Sequence, residues 1–179
     1  VTGIEDFTIG ATFADVEKPE ALPFLGVDEP TLTMNFQVNT SPFAGQEGKY
    51  VTSRQIRDRL TKELMSNVAL RVEDTEDADI FRVSGRGELH LTILIENMRR
   101  EGYELAVGKP RVVVKEVDGV KLEPWEILTV DVEQDNQGKV MEELGRRGGE
   151  LQDMVPDGKG RVRLDYRIAS RGLIGFHME

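Results

Sequence analysis

The spacing of apolar residues in this sequence changes between every second position, typical of a strand, and every third or fourth position, typical of a helix. The same order of strand-like and helix-like segments begins a second time in the later part of the chain. Residues 31 to 38 alternate apolar and polar side chains, which predicts a strand with one buried face. Beyond residue 51 apolar residues recur every four positions, which predicts a helix ending near Asn67. Thr52 and Gln55 fit a capping box at its start. The recurring apolar positions of this helix are Ile56, Leu60, Leu64 and Val68.

The segments that follow complete a first unit. Residues 69 to 73 and 80 to 84 are rich in β-forming residues, and the acidic run between them suits a hairpin loop. A second helix is predicted from Glu88 to Arg100, with a stop at Gly102. A valine-rich β segment from Tyr103 to Val117, interrupted at Gly108-Lys109-Pro110, closes the unit. The order β-α-β-β-α-β predicts a ferredoxin-like sandwich, with both helices on one face of an antiparallel sheet.

After the turn signal Asp118-Gly119 the same order begins again. Residues 128 to 133 alternate as a strand, and Asn136 is placed to cap a helix that stops at Gly148-Gly149. A hairpin of residues 150 to 154 and 161 to 168 follows. Ser170 is placed to cap a second helix, but no closing strand follows before Glu179, so we expect this sandwich to be truncated. The apolar residues of the two predicted helices are Val140, Met141, Leu144, Leu173, Ile174 and Phe176.

These patterns predict an α+β chain built from two tandem ferredoxin-like (βαββαβ) sandwiches. Residues 28 to 119 are predicted to form the first sandwich and residues 120 to 179 the second. Residues 1 to 27 contain short β-like pieces, Phe7 to Ile9 and Thr12 to Ala14, followed by several prolines. We interpret this stretch as the tail of a β-barrel domain and a linker.

Composition excludes several classes of function. The chain has no cysteine, so a disulfide framework, a thiolate zinc site and a cysteine nucleophile are all impossible. No apolar run reaches the roughly 20 residues of a membrane span, and no signal peptide is recognisable. The net charge of -10 argues against indiscriminate coating of nucleic acid, including DNA. A cytoplasmic protein that does not bind membranes suits this composition.

Residues with catalytic or metal-binding potential are few. The chain has two histidines, His90 and His177, each without a second metal ligand at a suitable spacing, so we expect structural roles. Neither a Gly-x-x-x-x-Gly-Lys-[Ser/Thr] loop nor a strand-linked Gly-x-Gly-x-x-Gly is present, so this stretch cannot hydrolyse GTP. The acidic residues at 73 to 79 lack the spacing and central glycine of a calcium loop. We therefore predict no catalytic residue, no cofactor and no metal for these residues.

One group of basic residues is a candidate for binding a negatively charged partner. In the strand of residues 161 to 168 the apolar side chains must face inward, which turns Arg161, Arg163, Asp165 and Arg167 outward. Arg146 and Arg147 lie at the end of the preceding helix, where they also complement its dipole. From spacing alone, contact with RNA and an ordinary solvated surface both remain open.

Several motifs carry a resemblance to a known family. The run Ser84-Gly85-Arg86-Gly87-Glu88-Leu89-His90-Leu91, with Gly108-Lys109-Pro110, resembles domain III of elongation-factor-G-like GTPases. Leu122-Glu123-Pro124-Trp125-Glu126, the stretch of residues 145 to 149 and the run from Asp157 to Tyr166 resemble domain V of the same superfamily. Ser170-Arg171-Gly172-Leu173-Ile174-Gly175-Phe176 is most similar to the BipA/TypA translational GTPases. Residues 112 to 121 leave no room for domain IV, which argues against a translocase.

The resemblance implies a cytoplasmic protein, bacterial or organellar, that binds the ribosome and influences its assembly or translation under stress. Its GTP and Mg²⁺ would belong to a G domain outside this sequence. The implied partners are rRNA and ribosomal proteins near the GTPase-associated region, together with the protein's own G domain and C-terminal domain. The RNA-contacting residues implied by this analogy are Lys139, Arg146, Arg147, Lys159, Arg161, Arg163 and Arg171.

The sequence is compatible with two functions. The first is a non-catalytic module that positions the G domain on the ribosome and relays its nucleotide state by rigid-body movement. The alternative is a regulatory pair of ferredoxin-like domains that binds a small molecule, since this fold hosts sensors as well as RNA binders.

Overall fold

The computed structural model describes residues 9–23 and 26–176, and the chain divides into a first unit, Val1–Lys109, and a second unit, Pro110–Glu179. The strands within the described residues are β1 (Leu32–Gln37), β2 (Arg71–Asp74), β3 (Ile80–Gly85), β4 (Ala106–Val107), β5 (Arg111–Val112), β6 (Lys115–Val117), β7 (Val120–Leu122), β8 (Trp125–Glu133), β9 (Glu150–Pro156) and β10 (Arg161–Ala169). The helices there are α1 (Ser53–Leu64), α2 (Glu88–Arg100), α3 (Gln137–Arg146), which a short 3₁₀ turn at Gln134–Asn136 precedes, and α4 (Ser170–Leu173).

The first unit is a ferredoxin-like sandwich, as predicted. Its antiparallel sheet runs in the order β2-β3-β1-β4, and β1 pairs with β3 along its whole length, from Leu32 opposite Gly85 to Gln37 opposite Ile80. The strands and both helices bury apolar side chains, as expected for a sheet with its helices on one face. The buried apolar residues of these elements are Leu32, Phe36, Ile56, Leu60, Phe81, Val83, Leu91, Leu94 and Met98.

The start of α1 confirms the predicted capping box. Thr52 Oγ1 accepts from the Gln55 backbone N–H at 3.4 Å, and Gln55 Oε1 accepts from the Thr52 N–H at 3.0 Å. The helix ends at Leu64 and not near Asn67 as predicted. The Asn67 backbone N–H donates to the Glu63 carbonyl at 2.9 Å, and the Asn67 side chain donates to the Glu63 carboxylate. Both bonds stabilise a turn that leads from the helix into β2.

The predicted closing segment from Tyr103 to Val117 does not form one strand. Two residues, β4, pair with β1, whereas β6 pairs with β7 in a separate hairpin. Asp118 (φ 51°) and Gly119 (φ 78°) form the turn of this hairpin, and two successive positive φ angles match its twist. Pro110 has no backbone N–H to donate to a ladder, which explains the break before it.

After β5 and the β6–β7 hairpin, the second unit continues in the order β8-α3-β9-β10-α4, with β10 at the centre of a three-stranded antiparallel sheet, β8-β10-β9. Its core consists of Leu144 from α3 and the inward side chains of β10, Val162, Leu164, Tyr166 and Ile168. Val140 and Met141 of α3 pack against this cluster. The helix therefore covers one face of the sheet and leaves the other open.

Two predicted caps in this unit differ from the structure. Asn136 occupies the N-cap position of α3, but its side chain makes no capping hydrogen bond because the 3₁₀ turn already leads into the helix. Ser170 is the first residue of α4 and not its cap, and its buried hydroxyl has no hydrogen-bond partner among the described residues. Ile174 and Phe176, which were expected within this helix, lie beyond its end at Leu173.

The amino-terminal stretch contains no strand in its described part, residues 9–23 and 26–31. The expected β piece at Thr12 to Ala14 is irregular, and Phe7 and Thr8 of the other piece lie outside the described residues. The assignment of residues 1 to 27 to a barrel domain stays a prediction.

The core of the second unit supports a stability prediction. Leu164 is fully buried, so Leu164→Ala removes apolar contacts and leaves a cavity beneath α3. We expect a loss of about 2 to 5 kcal/mol in the free energy of unfolding, measured by urea denaturation followed by circular dichroism. Ile127→Ala is the matched control because Ile127 on β8 is 68% exposed. Equal effects of the two substitutions would contradict this account of the core.

Candidate nucleic-acid interface

The outward row of β10 is the first candidate surface. Its residues alternate between buried and exposed along the strand, with Arg161, Arg163 and Arg167 exposed and Val162 and Leu164 buried. The predicted orientation of the arginines is therefore confirmed. It follows from the pleat of a strand that has one face under a helix.

The neighbouring strands change the charge of this face. Residues directly opposite one another in an antiparallel pair share a face, and the register places Glu133 opposite Arg161 and Asp131 opposite Arg163 on β8. On the other side, β9 places Asp153 opposite Asp165 and Glu150 opposite Arg167. Carboxylates thus flank the arginine row on both sides, and the face has mixed charge.

Each arginine of the row has a polar neighbour. Arg163 Nε lies 3.5 Å from Asp165 Oδ1, and Arg167 Nη1 lies 3.3 Å from Glu150 Oε2. Arg161 Nη2 donates to the Asp131 carbonyl at 3.3 Å. Asp165 also accepts from the Thr129 hydroxyl at 2.6 Å, and this bond, followed by the charge of Arg163, lowers the pKa of Asp165 below its ordinary value. Exposed ion pairs of this kind contribute roughly 0 to 1 kcal/mol, so the arginines stay available to a stronger anion.

An aromatic residue outside the predicted RNA-contacting set lies on the same face. The Arg167 guanidinium stacks over the Trp125 ring at 4.4 Å, and Trp125 is 42% exposed. Trp125 and Ile127 are two positions apart on β8, and this spacing in the sequence indicates that their side chains lie on the same face of the sheet. Their link to the arginine row required the register of β8 on β10.

Lys139 and Arg146 lie on the opposite side of the second unit. They are seven residues apart on α3, which is close to two turns, and both line an open cleft of about 340 Å³. Arg146 is paired with Glu142 at 2.7 Å and lies 3.8 Å from Glu143. Because α3 covers the inner face of the sheet, this pair and the β10 row face different directions. The residues that line the cleft are Lys139, Val140, Glu142, Glu143, Arg146 and Phe176.

Arg147 has a structural position within the predicted set. Its side chain is 17% exposed, and Nε donates to Glu143 Oε1 at 2.6 Å. Nη1 donates to the carbonyl oxygens of Gly172 at 3.0 Å and Ile174 at 2.9 Å. The guanidinium also lies 5.7 Å from the centre of the Phe176 ring. Arg147 therefore holds α4 and the residue that follows it against the end of α3.

The remaining two predicted residues lie near the ends of β10. Lys159 is in the β9–β10 turn, where the Asp157 carboxylate accepts the backbone N–H groups of Lys159 at 2.7 Å and Arg161 at 3.0 Å. These two bonds, the Lys159 bond first, lower the pKa of Asp157. Arg171 of α4 lies 3.4 Å from Glu123. The seven predicted residues thus occupy several surfaces of the second unit, and Arg147 is largely internal.

The two histidines are predicted to have structural roles, and the contacts of His90 fit this prediction. His90 Nδ1 accepts the Arg86 backbone N–H at 3.2 Å, and its Nε2 lies 3.0 Å from Asn67 Nδ2, so the ring ties the start of α2 to the turn after α1. His177 lies outside the described residues. Among residues 9–23 and 26–176, no three His, Asp or Glu side chains are grouped to hold a metal ion. No helix in the described part of the chain is long and apolar enough to cross a membrane.

Comparison with known proteins defines the class first. The family model described as "Elongation factor G C-terminus" matches residues 120–179, which contain the β8-β10-β9 sheet, α3 and α4. This match identifies residues 120–179 as similar to the C-terminal part of elongation factor G.

The relatives then identify the family. Over all 179 residues the chain is 66% identical to "Large ribosomal subunit assembly factor BipA" of Escherichia coli strain K12, and 56% identical to the protein of that name from Buchnera aphidicola. It spans about 30% of the length of each of these relatives. The chain belongs to the BipA family. A crystal structure of a protein from Thermus thermophilus aligns with 92% of this chain and 40% of its own chain, with 13% identity and a TM-score of 0.48.

Arg147 is the subject of a testable prediction. In Arg147→Met the aliphatic stem stays, but the carbonyls of Gly172 and Ile174 lose their charged donor. We expect a loss of about 1.5 to 3 kcal/mol in the free energy of unfolding, measured by urea denaturation. Arg146→Met is the control, since that side chain is 69% exposed, and it should change stability by less than about 0.5 kcal/mol. If both variants unfold like the wild type, Arg147 does not hold α4 against α3.

Proposed function

We propose that this chain is a ribosome-docking part of a BipA-type translation and ribosome-assembly factor that acts in the cytoplasm during stress. The observation that carries the proposal is the 66% identity over the whole chain to a protein named as a large ribosomal subunit assembly factor. The match of residues 120–179 to the elongation factor G C-terminus adds support, since elongation factors take part in translation.

In this proposal the two sandwiches contribute no catalytic group. GTP and Mg²⁺ belong to a G domain elsewhere in the full-length protein, as does hydrolysis. The compact cores of the two units suit them to move as rigid bodies and so to relay the nucleotide state of that domain to the ribosome. Large-subunit rRNA and ribosomal proteins near the GTPase-associated region are the proposed partners.

The proposed RNA contacts are charge-assisted hydrogen bonds to phosphates. The exposed members of the predicted set favour this role, namely Lys139, Arg146, Lys159, Arg161, Arg163 and Arg171. Phosphate oxygens accept two parallel bonds from a guanidinium, which is a stronger arrangement than the single exposed contacts that Arg161 and Arg163 make at 3.3 and 3.5 Å. A phosphate can therefore replace these contacts at little cost.

The test is cosedimentation of this 179-residue chain with purified large ribosomal subunits across a salt series. If phosphates are neutralised, the logarithm of the binding constant should fall with the logarithm of salt concentration, with a slope of about -0.7 to -0.9 per phosphate. The double variant Arg161→Glu, Arg163→Glu should bind more weakly at low salt. Its slope should be shallower by about 1 for each phosphate that the variant no longer neutralises.

The matched control is Arg71→Glu, Arg82→Glu, which makes the same change of charge on the sheet of the first unit. Arg71 and Arg82 are 61% and 56% exposed, and their ion pairs with Glu29 and Glu73 are long, at 3.8 and 3.9 Å. Failure of the wild-type chain to pellet at low salt would refute docking by these residues. Equal weakening by both double variants would refute a specific role for β10.

A further inference from the structure

The connection between β1 and α1 is held by four hydrogen bonds to one side chain. We call residues 39–50 the pinned loop. The Glu104 carboxylate accepts from Asn39 Nδ2 at 2.7 Å and from the backbone N–H groups of Gly45, Glu47 and Gly48 at 2.8, 3.1 and 3.1 Å. These bonds, the Gly45 bond first, hold the pKa of Glu104 below its ordinary value. One carboxylate thus fixes both ends and the middle of the loop.

Backbone contacts hold the end of the loop a second time. The Gly102 carbonyl accepts from the N–H groups of Lys49 at 2.8 Å and Tyr50 at 3.1 Å, and the Tyr50 carbonyl accepts from the Glu104 N–H at 3.0 Å. The rings of Tyr50 and Tyr103 are in contact, with centroids 4.7 Å apart and their planes tilted by 34°. A Cβ at Gly48 would lie 2.6 Å from the Glu104 Cβ, so glycine is required for this close approach.

The tip of the pinned loop presents an aromatic side chain to solvent. The Ala44 N–H donates to the Ser41 carbonyl at 3.0 Å, and the Ser41 N–H donates to Asn39 Oδ1 at 3.0 Å, so the tip is itself a tight turn. Phe43 is 69% exposed there. Because the loop is already ordered, a partner that buries Phe43 does not bear the cost of ordering it. A rigid loop that holds a large apolar group in water is suited to recognition.

We propose that the pinned loop docks Phe43 into an apolar pocket of a protein component of the ribosome. The inference rests on the proposed function and names a second contact, in the first unit. Charge favours protein over RNA at this point. The loop is described in full, and its ionised groups, Glu47 and Lys49, cancel, while Glu104 beneath it adds a negative charge. Aromatic stacking sites for bases combine the ring with a positively charged groove, which this loop does not supply.

Photo-crosslinking tests the identity of the partner. The photoreactive residue p-benzoylphenylalanine replaces Phe43 in the 179-residue chain, which is irradiated with purified ribosomal subunits, and crosslinked species are identified by mass spectrometry. We expect a crosslink to a ribosomal protein. The control carries the same residue in place of Leu89, which is 66% exposed on α2 and should give no discrete product. A crosslink from position 43 to rRNA would overturn the proposal.

Binding measurements test the role of the loop's rigidity. Phe43→Ala should raise the dissociation constant for ribosomal subunits at least about tenfold, as for an aromatic anchor, whereas Leu89→Ala should leave it unchanged. Glu104→Gln removes the charge that holds the loop and should weaken binding while Phe43 is still present. Normal cosedimentation of Phe43→Ala overturns this inference and leaves the proposed function standing. Failure of the unaltered chain to cosediment overturns the proposed function itself.

Discussion

The burial of one face of β10 under α3 is the constraint on which the second unit depends. Val162, Leu164, Tyr166 and Ile168 are removed from water together, and the pleat then leaves the alternate residues no position except the open face. The same rule operates in β3 of the first unit, where Phe81 and Val83 are buried and Arg82 is exposed. In both units one face of a central strand is buried, and its charged side chains therefore point to the opposite face.

The chemistry of the open face is decided by the neighbours of β10. A row of arginines on one strand suggests a positive surface, but the register on β8 and β9 places carboxylates beside it. The resulting face is suited to selective contact and not to general attraction of nucleic acid, which agrees with the net charge of -10. Exposed ion pairs in water are weak, so the same arginines can exchange a carboxylate for a phosphate.

Charged side chains have a different use where the apolar core does not reach. Arg147 holds the end of α4 and the residue after it through two carbonyl groups, and Glu104 holds the pinned loop through three backbone N–H groups. In each case one ionised side chain makes several hydrogen bonds to an irregular segment. These bonds stabilise the segment in place of apolar packing, which it lacks. This explains why Arg147 is structural while Arg146, its neighbour in sequence, is exposed.

Sequence patterns alone predict the strands and helices from β1 to α2 and from β8 to α3, the capping box at Thr52 and the outward direction of the β10 arginines. Each of these follows from hydrophobic period or from bonds between residues a few positions apart, which are local in the chain. The sequence by itself also determined the family, since the motifs that carry the resemblance are continuous runs. The tertiary structure decided the carboxylates beside the arginine row, the internal position of Arg147, the separate β6–β7 hairpin and the bonds of Glu104 to the pinned loop. These depend on strand register and on contacts between residues up to 65 positions apart, as for Asn39 and Glu104, and no local pattern encodes which distant groups will meet.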